Sequence, residues 1–163
     1  MNKQAPKSRN LKFSTIEDVF ADIQGLIDQG YTASGNWNVS QCCTHLANWM
    51  RYPVDGFPVP PIWLRPIFWV MKVTMGQSMK RKILAEGFSG GMPTAPESVP
   101  AADAKTDQQA FDEFKETADR VLSHQGELIP SPLFGPQDIQ MLKTVTLLHA
   151  EHHLGYFVKN TDD

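Results

Sequence analysis

The 163-residue sequence predicts an all-α fold, a bundle of four helices with an additional shorter helix and long proline- and glycine-rich loops. Three observations predict the helical class. Apolar residues recur at three- and four-residue spacing in five separate segments. No segment alternates apolar and polar residues as a half-buried strand would. Stretches rich in proline and glycine separate the periodic segments, and long helices joined by irregular loops pack as a bundle.

The first predicted helix starts at Ser14, with Glu17 three residues on as a capping box, and ends near Gly30. Its apolar stripe is Ile16, Val19, Phe20, Ile23, Leu26 and Ile27. A second runs from about Asn38 to Tyr52 and is expected to stop at Pro53, because proline removes a donor and clashes with the preceding turn. Pro53, Pro58, Pro60 and Pro61 lead to a third helix over about 62–85, kinked or restarted at Pro66. Residues 87–105 read as a long loop, of a length that in a compact domain is often functional or mobile. The fourth helix, about 106–124, carries the stripe Phe111, Phe114, Ala118, Val121 and Leu122. The last is expected over about 137–158. One domain spans 1–163, with 1–12 expected to be flexible.

Hydrophobic residues make up 41% and charged residues 20%, a globular rather than a disordered balance. The net charge of −3, with 15 basic against 18 acidic residues, argues against a broad nucleic-acid surface. The first residues carry no apolar run of the signal-peptide kind. The most apolar stretch, 62–75, is broken by Arg65, Pro66 and Lys72 and falls short of the roughly 20 residues a membrane span needs. A soluble cytoplasmic protein without a membrane partner is expected. The two cysteines, Cys42 and Cys43, are neighbours, so a strained vicinal disulfide is not expected and both read as thiols.

Three of the five histidines fall in the stretch LHAEHHLGYF, residues 148–157. At about 100° per residue, Met141, Leu142, Val145, His149, His152, His153 and Tyr156 share one stripe of the last helix. His149 and His153 are four apart, so their rings point the same way, the spacing with which metal-binding helices hold one ion. The bland reading is a pair of core or surface histidines satisfied by ordinary hydrogen bonds. Two histidines do not complete a site, and His45 is the third candidate. Its helix has one plain core stripe (Val39, Cys43, Leu46, Met50) and a second, rotated stripe of Asn38, Gln41, Cys42, His45, Trp49 and Tyr52. That second face reads as the wall of a lined cavity. Cys42 shares it and could ligate through a thiolate, although a lone cysteine there is more often a small buried hydrophobe. His124, before Gly126, reads as a surface residue.

These motifs resemble the DinB/YfiT-like superfamily of four-helix metalloproteins. The matching residues are Trp37-Asn38-Val39-Ser40-Gln41 with His45-Leu46-Ala47, and the final His149-Ala150-Glu151-His152-His153-Leu154-Gly155. Leu133-Phe134-Gly135 before that last motif is similar to an uncharacterised branch. The resemblance implies that His45, His149 and His153 are the metal ligands. It implies a metal-dependent enzyme, foremost a thiol S-transferase using a low-molecular-weight thiol of the bacillithiol or mycothiol kind.

An all-imidazole set points to zinc or nickel, and three ligands leave a position for a substrate. Gln41, Trp49, Tyr52, His152 and Tyr156 are the expected pocket residues; no catalytic residue is assigned. The alternatives are a metal-dependent hydrolase, for which Glu151 points away from the histidines, and a non-enzymatic, metal-stabilised binding module. The apolar surplus of 62–70 predicts a homodimer.

Overall fold

The computed structural model describes residues 9–59, 62–63, 65–88, 99–102, 104–132 and 134–160. Of the segments expected to be flexible or loop-like, 1–8, 89–98 and 103 lie outside the described residues.

The capping residues decide where each helix begins. Thr15 rather than Ser14 caps α1 (Ile16–Gln29). Its hydroxyl accepts the Asp18 amide at 3.2 Å, while the Asp18 carboxylate accepts the amides of both Thr15 and Ser14, at 2.9 and 3.0 Å. That second amide favours this register over the Ser14–Glu17 box that the sequence also offers. Asn38 caps α2 (Val39–Asp55) in the same reciprocal way with Gln41. Contrary to expectation, α2 continues through Pro53. Only one intrahelical bond is lost this close to the end, the Pro53 ring is buried, and Gly56, at φ 111°, closes the helix with its amide on the Tyr52 carbonyl.

The third predicted helix is divided into α3 (Arg65–Met71), a π-helical segment Lys72–Gly76, and α4 (Gln77–Glu86). Thr74 donates its hydroxyl to the Val70 carbonyl at 2.7 Å, competing with the backbone for that acceptor and widening the turn. Thr106 and Gln109 form the capping box of α5 (Asp107–Leu122), and Asp138 caps α6 (Ile139–Leu154).

Two short strands were not expected. β1 (Tyr31–Ala33) follows Gly30, whose φ of 71° turns the chain out of α1. β2 (Phe157–Lys159) follows Gly155 and ends α6 four residues earlier than predicted. They pair antiparallel, Tyr31 with Lys159 and Ala33 with Phe157.

The bundle is made by α1, α2, α5 and α6, with α2 lying along α5 as its most extensive contact. Phe20 meets Phe111 and Phe114 edge-on in the core, at centroid distances of 5.9 and 5.6 Å. Cys42 and Cys43 are fully buried among these apolar residues. The α4 helix packs on α6, whereas α3 stands largely exposed beside the bundle. No helix among the described residues is long and apolar enough to cross a membrane.

Candidate metal centre

Two helices and one loop build the site. α2 supplies His45, and α6 supplies His149 and His153, one turn apart. Both ends of this arrangement are clamped. The Asp107 carboxylate accepts the Ser40 amide at 2.8 Å and the Tyr31 hydroxyl at 3.0 Å, and Ser40 donates to the Lys105 carbonyl, locking the start of α2 to the start of α5. At the other end Arg9 pairs with both Asp22 oxygens, at 2.7 and 2.8 Å, and donates to the Leu154 carbonyl. Its own amide reaches the Gly155 carbonyl, and Ser34 binds the Tyr156 carbonyl, so the chain just past His153 is held from two sides.

The three imidazoles converge on their Nε2 atoms. His149 Nε2 lies 3.3 Å from His45 Nε2 and 3.0 Å from His153 Nε2. The nearest ligand atoms of all three lie within 4.8 Å of one another, and the three residues could hold a metal ion. His45 and His149 are buried and His153 is half-buried. A neutral imidazole has one N–H and one lone pair, so a single Nε2 facing two others can make one good hydrogen bond with them. A cation between the rings would take all three lone pairs at once. Burial, and then the neighbouring His153, His45 and His152, push His149 well below the ordinary histidine range, so it is held in the neutral form that donates to metals.

Aromatic rings wall the cluster. Trp37 lies flat on His153, at 5.0 Å with an interplanar angle of 9°, and edge-on to His45 at 4.9 Å. Phe88 stacks on His149 at 4.8 Å, and Trp49 stands perpendicular to the same ring at 5.7 Å. Trp37 and Phe88 were not among the residues expected from the sequence. Trp37 belongs to the loop before α2, where Gly35 packs on Tyr156, and Phe88 follows the end of α4. Neither sits on a helical stripe, so periodicity gives no signal for them.

The expected pocket residues divide into two groups. Trp49 and His152 touch the cluster, His152 at 4.9 Å from the His153 ring. Tyr52 stands behind Trp49 at 6.0 Å, and Tyr156 packs edge-on against His152 at 5.8 Å. Gln41 is used structurally: its side chain closes the α2 capping box, and its amide nitrogen donates to the Pro100 carbonyl at 2.7 Å. Cys42 is not part of the histidine group. His124 lies beyond the end of α5.

The buried side of α6 is rotated from the predicted stripe. Leu142, Thr146, His149, Ala150, Glu151 and Leu154 are buried, while Met141, Val145, His152 and His153 are half-buried. The reason is the segment preceding α1, which covers the far side of the helix. Glu151 accepts the Phe13 amide at 2.8 Å and the Lys12 ammonium at 3.2 Å there.

Residues 5–160 match the model of one family, described as a protein of unknown function (DUF1569). No curated protein and no solved structure matches the chain.

Proposed function

The chain belongs to the DUF1569 family, and from its own histidine site we propose that it binds one divalent metal ion through His45, His149 and His153. The Nε2 separations of 3.0 and 3.3 Å carry the proposal. Two imidazoles bound tetrahedrally to zinc at about 2.0–2.1 Å stand roughly 3.3 Å apart, so His149 is spaced from each of the other two as ligands of one ion are, and all three lie within 4.8 Å of one another. Zinc or nickel suits the all-nitrogen set. Helices bearing histidines in the second and last positions of a four-helix bundle support a DinB-like affiliation.

When bound, the ion would supply Lewis acidity, lowering the pKa of a thiol or water at the position the three imidazoles leave. The chain's own residues do the rest. Trp37 and Phe88 hold the planes of His153 and His149 by stacking and keep water from their faces. Trp49, 40% exposed, stands at the outer edge and offers an aromatic surface to an apolar substrate.

A thiol S-transferase that uses a low-molecular-weight thiol is the reading this environment favours. Hydrolysis wants a carboxylate base beside the activated water. Among the described residues no carboxylate joins the histidine group, and Glu151 is committed to Phe13 and Lys12. A thiol starts far more acidic than water, so a metal-bound thiol would release its proton to solvent more readily without such a base. A metal-stabilised module that only ties α2 to α6 is the remaining alternative.

The test is cobalt-loaded protein titrated with glutathione, cysteine and coenzyme A. Thiolate ligation adds an intense charge-transfer absorption, and with an electrophilic halogenated arene the conjugate would be sought by mass spectrometry. If no thiol alters the cobalt spectrum, the transferase reading fails while the metal site stands.

A further inference from the structure

Residues 62–85 differ from the bundle helices in composition and, over 62–75, in exposure. Between Gly56 and Ala85 the chain carries Arg65, Lys72, Lys80, Arg81 and Lys82 and no acidic residue. Taking these five cations from a net charge of −3 leaves −8 on the remainder of the chain. Helix α5 alone holds Asp107, Asp112, Glu113, Glu116 and Asp119; it packs on α1 and α2, whereas α4 packs on α6. The basic segment and this acid-rich helix, whose five acids are partly offset by Lys115 and Arg120, therefore pack on different helices of the bundle, and the charge distribution is uneven.

The same segment exposes its large apolar side chains. Trp63 is 69% and Trp69 64% exposed, and Ile67, Val70, Val73 and Met75 are all about half exposed or more. Ile67, Val70 and Trp69 fall within an arc of about 160° around the helix axis, wider than one neighbouring helix would cover. Arg65 and Lys72, seven residues apart, fall on nearly the same side of the helix.

An exposed segment with two tryptophans, several aliphatic side chains and, through residue 85, only cationic charge has the composition of an interfacial element. Acyl chains would take the aliphatic groups, the headgroup level would take the indoles, and anionic phosphates would take the lysines and arginines. Pairing of this segment with the same segment of a second copy would instead set one cation cluster against another, with no acid on either to relieve them. That the helix is too short and too interrupted to cross a bilayer does not bear on its lying along one. We propose that residues 62–85 dock the protein on an anionic lipid surface, with α5 turned away from it.

The experiment is co-sedimentation of the full chain with phosphatidylcholine vesicles, with and without phosphatidylglycerol, over a range of salt. The protein binds the anionic vesicles far better than the neutral ones, and added salt weakens the binding. The triple variant Lys80→Gln, Arg81→Gln, Lys82→Gln lowers the partition coefficient on the order of 100-fold, about fivefold per cation. The double variant Trp63→Ser, Trp69→Ser, at exposed positions that leave the bundle and its circular dichroism intact, abolishes most binding. Absence of binding to anionic vesicles at low salt overturns the proposal, as does binding indifferent to both variants. Light scattering that gives a dimer, made monomeric by Trp69→Ser and without affinity for vesicles, also overturns it and assigns the face to a second copy.

Discussion

At the scale of the residue, the site was legible where its chemistry follows a helical period. The i, i+4 spacing of His149 and His153 and the rotated polar-aromatic stripe of α2 marked the three converging histidines before any coordinates. Trp37, noted only as part of the resembling motif, and Phe88 were not placed at the site, because both lie outside the helices and no helical period encodes their approach. Trp37 offers a direct check of how the rings are held. Its flat stacking on His153 predicts that Trp37→Ala weakens zinc affinity by about 10-fold, at the lower end of what loss of a supporting contact costs a metal site, while Trp37→Phe retains most of it; competition with a chromophoric chelator measures both. The cysteines give a second residue-scale prediction. Burial pushes both thiols up, Cys42 well above the ordinary range and Cys43 also raised by Asp107. Thiolate is the reactive form, so a disulfide reagent at neutral pH should leave both untouched in the folded protein and modify both in denaturant. Rapid labelling of the native chain would contradict their place in the core.

Among the elements, the helices were readable because each buries an amphipathic stripe; their ends were less so. The Thr15 cap, the passage of α2 through Pro53 and the π-helical segment at Thr74 each turn on one side-chain or tertiary interaction that competes with local preference. β1 and β2 were missed because three-residue strands carry almost no alternation, and they exist only by pairing across the whole length of the chain. The Asp107 carboxylate joins the starts of α2 and α5, and Asp107→Ala should cost about 1.5–3 kcal/mol, the range for hydrogen bonds to a charged group; urea unfolding followed by circular dichroism checks it. Arg120 grips both oxygens of Asp55, at 2.7 and 2.8 Å, between α5 and the end of α2. That hydrogen bond holds the Asp55 carboxyl below its usual value. A depressed carboxylate contributes stability above its unfolded pKa of about 3.9 and loses it as the pH falls through the folded value. Both groups are exposed and screened, so the contribution is at most about 1 kcal/mol. Arg120→Gln should be slightly less stable than the parent at pH 7 and converge with it once the pH has fallen below the depressed pKa of Asp55; a difference that persists in stronger acid would rule the ion pair out as its cause.

For the whole molecule, an all-α reading holds apart from the small sheet, and the bundle is α1, α2, α5 and α6. The sequence could not say which apolar helices enter the core and which stand outside, because hydrophobicity alone does not distinguish a central helix from an exposed one. Residues 62–70 were expected to face a second copy on that ground; the exposure of this segment, together with its cationic composition, underlies the proposed anionic docking surface. Removing core volume and removing volume from this segment should therefore differ sharply. Phe114→Ala should cost about 3–5 kcal/mol as a cavity in the core, whereas Trp69→Ser should leave the thermal midpoint nearly unchanged; equal losses would mean that the segment is part of the packed bundle.

The central claim is that the bundle brings His45, His149 and His153 together around one metal ion. Elemental analysis of untagged protein, loaded with zinc and dialysed, tests it most directly, run beside His149→Ala with its helical content checked by circular dichroism. The account predicts close to one ion per chain for the parent and close to none for the variant. An undiminished metal content in a folded His149→Ala chain, or no retained metal in the parent, would contradict it.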